Sequence, residues 1–432
     1  MTEPQPSLIR RLALVRKGET RILLWAAGYF FFLLISYYLL RPMREAFGIA
    51  KGADKLPWLM TGTMATMLLV NPVYAALVSR VPRRRFIPLT YRFFAASMLG
   101  FWAAFRWLPA HGGAWAGYVF YVWLSVFNLF VVSVFWSLLD DLVTEEMGKR
   151  LFGLVAVGGT AGAIAGAALT SALAQGFSLG PVRIQAAPAS LLLLSVLFLE
   201  AAVFCMKGLA ARASKVDLKP PTPEPGPGVF EGLRLVATSR YLQAICLYML
   251  LFTITSTLLY LLQGRIVEQA FQGQAARTAA FARLDLWSNV LTLLVQVLFS
   301  GRILVGLGLR TTLCLLPALT LVSLGGLWAL PSFAALAWVQ VARRGLHYAV
   351  DRPAREILYI PLGQGEKYKS KPFIDTFVYR GGDVLGVWTP TLLAMLAVPV
   401  GAVGVVVSGA WLGTAVWLGR LRGRMRGAGA ED

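Results

Sequence analysis

The chain has 432 residues, of which 57% are hydrophobic and 14% are charged, and its mean hydropathy is +0.65. A soluble domain is about 45–50% apolar and about 25% charged, so the composition excludes an ordinary soluble enzyme. The formal net charge of +20 would indicate nucleic acid as the partner of a soluble protein, but the apolar runs here are about 18–26 residues long and fit a bilayer.

The apolar runs predict an all-α polytopic membrane protein with twelve transmembrane helices. Helices are required because every backbone polar group in hydrocarbon must be satisfied within its own segment. The first run lacks the small-residue cleavage pattern of a signal peptide, so we expect it to be retained. In chain order, the predicted spans are 22–40, 56–79, 86–107, 114–139, 151–175, 187–206, 241–263, 284–304, 311–330, 333–350, 372–397 and 399–419.

The distribution of basic residues predicts that both termini face the cytoplasm. Cytoplasmic loops of membrane proteins carry the excess of Lys and Arg. With the N-terminus inside, the inner segments hold 30 of the 41 Lys and Arg residues and the outer loops hold 9. The basic charge therefore needs no nucleic acid partner, and the composition suits a bacterial inner membrane.

A Pro- and Gly-rich stretch, 207–238, predicts a cytoplasmic linker between an N-terminal half, 1–206, and a C-terminal half, 239–432 with a basic tail. Six spans fall on each side, the arrangement of transporters built from two helical halves. A short basic turn follows span two at 80–85 and recurs after span eight at Arg302. Such turns resemble the loop signature of the major facilitator superfamily.

Span one ends in charged residues that allow two interpretations. Twenty residues of helix cover about 30 Å, so Arg41 fits the outer membrane interface. Alternatively, the helix continues past Pro42 and turns Arg41 and Arg44, with Glu45 beside them, towards a solute cavity. Two guanidinium groups would suit a phosphorylated or carboxylated solute.

Other polar groups within spans three, four and six are weaker pathway candidates. Tyr91 offers a ring that can stack on a flat solute, and Asn128 offers hydrogen bonds, although bonding between helices is its commoner use. Arg92 and Glu200 lie near span ends, where long side chains reach the interface.

Spans five and eleven differ from the other spans. Gly158, Gly162 and Gly166 recur every four residues in span five, which predicts close packing of a neighbouring helix. Span eleven carries Arg380 and Asp383, spaced to pair on one helical face. Charges at depth usually face a partner or a cavity, so the pair is either structural or involved in solute or proton coupling.

Metal, cofactor and enzyme chemistry are not expected. The three cysteines lie in separate apolar runs, and there are only two histidines. The sequence contains no phosphate-binding P-loop, zinc-protease motif or nucleophile elbow.

Several stretches together resemble the ATP/ADP translocase family of nucleotide exchangers, which is related to the major facilitator fold. They are Leu40-Arg-Pro-Met-Arg-Glu45, Glu145-Glu-Met-Gly-Lys-Arg-Leu-Phe-Gly153, Arg352-Pro-Ala-Arg-Glu-Ile-Leu-Tyr-Ile-Pro-Leu362 and Lys367-Tyr-Lys-Ser-Lys-Pro-Phe-Ile-Asp375. The resemblance implies a transporter, and residues in its loops are candidates for conformational roles. These loop candidates are Arg302, Arg355, Glu356, Lys369 and Asp375.

One position departs from the family pattern. Nucleotide carriers of that family have a lysine near Gly381-Gly382, where this chain has Asp383, and an acid there works against binding a triphosphate. The sequence predicts a secondary transporter that works by alternating access, and the family resemblance favours exchange of a nucleotide or another phosphorylated anion. A proton-coupled carrier of another solute and a transport-inactive membrane partner are the alternatives.

Overall fold

Long apolar helices make up almost all of the computed structural model, which describes residues 19–80, 83–108, 110–142, 145–179, 182–184, 187–213, 229–298, 300–362, 366, 370–371, 373–395 and 400–428. The first six helices are α1 (Glu19–Gly48), α2 (Leu56–Arg80), α3 (Arg83–Trp107), α4 (Ala110–Leu142), α5 (Glu145–Gln175) and α6 (Ser190–Ala213). The next four are α7 (Val229–Thr238), α8 (Arg240–Ala270), α9 (Gln274–Leu298) and α10 (Ser300–Ala329). The last four are α11 (Phe333–Leu346), α12 (Arg352–Leu358), α13 (Tyr379–Met395) and α14 (Val400–Ala428).

The helical class predicted from the apolar runs is confirmed. Within the described residues, seven helical segments are long and apolar enough to cross a membrane, so twelve spans and the orientation of the termini stay predictions. One small hairpin departs from the all-helical expectation: β1 (Phe177–Leu179) pairs antiparallel with β2 (Val182–Ile184).

Several helix boundaries differ from the prediction. Helix α1 continues through Pro42 to Gly48, as one of the two interpretations of span one required. The acidic segment 145–150, predicted as a loop, forms the first turns of α5. The predicted basic loop 302–310 is helical, with a break at Gly308, whose φ of 71° and ψ of 161° suit glycine. Helix also covers both ends of the predicted linker, while 214–228 lie outside the described residues.

The chain divides into two compact units. The first contains residues 1–51, 62–223 and 271–286, and the second contains 52–61, 224–270 and 287–432. The division into two halves of six spans stays a prediction.

In the first unit, α1 is the central helix and packs against α5, α6 and α4. The glycines of α5 make this possible: a Cβ on Gly158 would lie 2.7 Å from the Ala27 carbonyl oxygen, and one on Gly166 would lie 2.9 Å from that of Ile35. A Cβ on Gly162 would collide with the Phe31 carbonyl. The predicted close packing of span five is therefore confirmed.

The second unit is built around α8, which packs against α13 and α14, while α10 packs against α14. Two π-helical segments interrupt its regular helices, one at His347–Asp351 between α11 and α12, the other at Ile374–Val378 before α13. Short π segments inside helices often occur at functional sites because they re-aim the side chains around them.

Candidate functional site

Both π segments of the second unit contribute to one polar cavity of about 380 Å³. Three arginines and two carboxylates line it: Arg352, Arg355, Arg380, Glu356 and Asp375. Four of these five were loop or pathway candidates from the sequence, and the structure brings them together. Guanidinium groups are planar, permanently charged and well shaped for phosphate or carboxylate oxygens.

Aromatic side chains complete the cavity. Tyr348, Tyr359 and Tyr379 line it together with Tyr248 and His347, beside the aliphatic residues Ile245, Met249 and Leu358. Burial raises the pKa of Tyr359, so its phenol stays protonated at neutral pH. The cavity thus combines cationic groups for an anion with ring faces for a flat solute.

A buried carboxylate, Asp351, lies behind the cavity wall and organises it. The Tyr248 hydroxyl donates a hydrogen bond to Asp351 Oδ1 at 2.6 Å, and His347 Nδ1 lies 3.2 Å from Oδ2. Arg355 Nε lies 3.1 Å from Oδ2, an ion-pair contact rather than a well-aligned hydrogen bond. Because Asp351 is 1% exposed, these neighbours must replace the water that a charged carboxylate loses on burial.

The charge state of Asp351 follows from two opposing effects. Burial alone would raise the pKa of this carboxyl, but the Arg355 guanidinium and the hydrogen bonds from His347 and Tyr248 lower it, and the lowering prevails. Asp351 is therefore ionised throughout the physiological pH range.

Arg380 and Asp383 form the pair expected on one face of span eleven. Arg380 Nη1 lies 3.6 Å from Asp383 Oδ2, and the Thr257 hydroxyl donates to Asp383 Oδ1 at 3.2 Å. Arg380 thus faces both the cavity and an acid three residues along its helix.

The charged end of α1 belongs to the first unit. Arg41 Nη1 lies 3.1 Å from Asp285 Oδ1. Arg44 pairs with Glu45 at 2.7 Å, donates from Nε to the Tyr121 carbonyl at 3.0 Å, and stacks over the Tyr121 ring at 3.9 Å. The side chains of Arg41, Arg44 and Glu45 are all at least partly buried, and within this unit their charges are balanced by protein groups.

Tyr91, Arg92, Asn128 and Glu200 are not among the described residues that line the cavity. Tyr91 is fully buried in the first unit, where its hydroxyl contacts Tyr29 and donates to the Val131 carbonyl at 3.3 Å. Asn128 is half-buried, whereas Arg92 and Glu200 are exposed on α3 and α6. Arg302 lies in α10, and the structure does not describe its side chain; Lys369 lies outside the described residues.

Sequence reasoning identified Arg355 but missed Asp351 and its other two partners, Tyr248 and His347. The spacing of His347, Asp351 and Arg355 carried the signal, because residues four apart share one face of a helix. Arg343 was also missed: it is 6% exposed and donates to Ser256 Oγ at 2.6 Å and Thr320 Oγ1 at 3.0 Å.

Comparison with protein families finds a family whose model matches this chain. The model of the TLC ATP/ADP transporter family matches residues 92–338, more than half of the chain. No curated protein sequence matches the chain.

Solved structures confirm the fold. A bacterial homologue of the human lysosomal transporter Spinster, inward-facing and unoccupied, is 12% identical with a TM-score of 0.55, covering 94% of this chain and 93% of that one. The nucleoside transporter NupG is 10% identical with a TM-score of 0.61, covering 94% and 99%. The POT family transporter PepTSo is 11% identical with a TM-score of 0.64, covering 94% and 98%. These neighbours have the major facilitator fold, which the sequence predicted.

Proposed function

The chain belongs to the TLC ATP/ADP transporter family, and we propose that it is a secondary transporter that exchanges a nucleotide or another phosphorylated anion by alternating access. The proposal includes a bacterial inner membrane location with both ends of the chain cytoplasmic, because the predicted inner loops carry most of the Lys and Arg.

One observation carries the choice of solute: Arg352, Arg355 and Arg380 converge on a single cavity that tyrosine rings also line. A phosphate group needs several donors at fixed positions, and guanidinium groups supply them. A nucleobase has a flat π-face, which an aromatic side chain can contact without reading its edge. A phosphorylated solute with a flat ring system would use both features of the wall.

The first test is a thermal-shift screen of the purified protein with nucleotides, sugar phosphates and dicarboxylates. A ligand that binds only the folded state must stabilise it, by about 2.7 kcal/mol at a concentration 100 times its Kd. We expect ADP or ATP to raise the Tm of the wild type and Arg352→Gln to reduce that rise. Arg106→Gln is the matched control, since Arg106 is an exposed arginine of the first unit.

Transport is tested in proteoliposomes loaded with unlabelled ADP. We expect uptake of labelled ATP that depends on the internal nucleotide and that falls at least about tenfold in Arg352→Gln or Arg380→Gln, since losing one charge-assisted contact removes about 1.5–3 kcal/mol. Uptake that needs no internal anion would contradict exchange. A clear thermal shift with dicarboxylates alone would assign the cavity to a different anion.

A proton-coupled carrier is the second candidate, and the half-buried Asp383 favours it. An acid in a predicted span can bind and release a proton as its surroundings change. A transport-inactive partner protein is less well supported, because such a protein has no need of a cavity with three arginines.

A further inference from the structure

We propose that Asp351 is a positioning residue that fixes the Arg355 guanidinium at the cavity wall. The affinity for an anion then depends on a carboxylate that the anion does not touch. This inference presupposes the anion-binding function proposed above. Asp351 is 1% exposed, whereas Arg355 lines the cavity. The acid therefore does not contact an anion bound in the cavity.

Asp351 is itself held in place by Tyr248 from α8 and by His347 from its own π segment. The Tyr248 side chain comes from α8, and its hydroxyl lies 2.6 Å from Asp351 Oδ1 and 3.1 Å from the Leu313 carbonyl on α10. His347 precedes Asp351 by four residues and lies 3.2 Å from Oδ2. Both carboxylate oxygens thus have protein partners, and the carboxylate has one defined orientation.

Arg355 follows Asp351 by four residues, one turn further along the chain. Its Nε lies 3.1 Å from Asp351 Oδ2, its Nη1 lies 2.7 Å from Met249 Sδ, and its guanidinium carbon lies 4.9 Å from the centre of the Phe252 ring. A long arginine side chain otherwise loses much conformational freedom when it binds an anion. Fixing it in advance removes that loss from the binding step.

Positioning and simple electrostatics predict opposite outcomes for Asp351→Asn. The substitution removes a negative charge beside an arginine, so charge alone predicts tighter binding of an anion. If Asp351 positions Arg355, the same substitution releases the guanidinium and weakens binding. The direction of the change therefore separates the two explanations.

The binding experiment uses the purified full chain with pyrophosphate and ADP as probes. We expect Asp351→Asn and Tyr248→Phe each to raise the Kd for both probes about tenfold, the effect of losing one charge-assisted contact. Asp54→Asn is the matched control, because Asp54 is an exposed aspartate of the second unit and is not one of the residues that line the cavity. That variant should bind the probes no more weakly than the wild type.

A second readout needs no ligand. Phenylglyoxal reacts with accessible guanidinium groups, and peptide mass spectrometry gives its rate at Arg355. We expect faster modification of Arg355 in Tyr248→Phe, which keeps the Asp351 charge and removes only the hydroxyl. The rate at the exposed Arg106 should stay at the wild-type value.

Each outcome decides one of the two claims. Equal or tighter anion binding by both variants overturns the positioning role. If the wild type binds neither probe, the proposed anion-binding function fails. The rate of phenylglyoxal labelling then decides the positioning role by itself, and an unchanged rate at Arg355 in Tyr248→Phe overturns that role. Should Asp351→Asn fail to fold, Tyr248→Phe carries both measurements.

Discussion

Arg41 on α1 and Asp285 on α9 form an ion pair, with Arg41 Nη1 3.1 Å from Asp285 Oδ1. The Asp285 side chain is only 4% exposed and that of Arg41 is 22% exposed. The two residues come from the first and eighth predicted spans, so the contact joins distant parts of the sequence within the first compact unit.

Removing one partner of this pair should destabilise the protein more than removing both. We expect Arg41→Gln to cost about 3 kcal/mol, because the buried Asp285 carboxylate then loses its ion pair with Arg41. Thermal unfolding in detergent of Arg41→Gln, Asp285→Asn and the double variant completes a double-mutant cycle. Additive losses in the double variant would show that the pair contributes no coupling energy.

Contact between α5 and α1 predicts a sharp difference between two glycines of the same helix. A Cβ at Gly162 would collide with the Phe31 carbonyl, whereas nothing lies within 4 Å of one at Gly153. Because α1 cannot withdraw without disturbing its other neighbours, we expect Gly162→Ala to lower the Tm and the yield of folded protein.

Gly153→Ala is the matched control for that substitution. Alanine is favoured over glycine in a helix by about 1 kcal/mol, so this variant should be neutral or slightly stabilising. Equal Tm values for the two variants would be inconsistent with close packing at Gly162.

Substituting Asp383 separates exchange from proton coupling. Asp383→Asn keeps a group that can accept the hydrogen bond from Thr257 but cannot titrate. For an exchanger, we expect nucleotide exchange to survive this change; for a proton-coupled carrier, we expect loss of proton-driven accumulation. Uptake into proteoliposomes with and without an imposed pH gradient measures both, with the exposed Asp54→Asn as the control.

The ionised state of Asp351 predicts a specific loss of stability in acid. The pKa of Asp351 in the folded protein lies below the ordinary aspartate value. Its contribution to the free energy of unfolding is therefore complete when the pH is above that ordinary pKa, and it is lost as the pH falls through the lowered pKa. We expect the Tm of the wild type to decrease below about pH 4 more steeply than that of Asp351→Asn. Parallel Tm curves for the two proteins would argue against an ionised, partnered Asp351.

The sequence by itself determined the class of the protein. Long apolar runs permit only helices in lipid, and this physical requirement does not depend on how the helices pack. The glycine spacing of span five predicted its close contact with another helix for a similar reason. A glycine leaves room for a neighbouring backbone, and this room does not depend on which helix approaches. Local spacing likewise predicted the Arg380–Asp383 pair.

Only the tertiary structure decided which charges meet. Arg41 has a neighbouring acid in sequence, Glu45, yet it pairs with Asp285, and no local pattern encodes such a distant contact. The cavity depends in the same way on two π segments, because a small change in helical winding rotates side chains towards or away from one another. The sequence thus specified the chemical groups, and the packing of α8 against α10 and the π segments brought Tyr248 to Asp351.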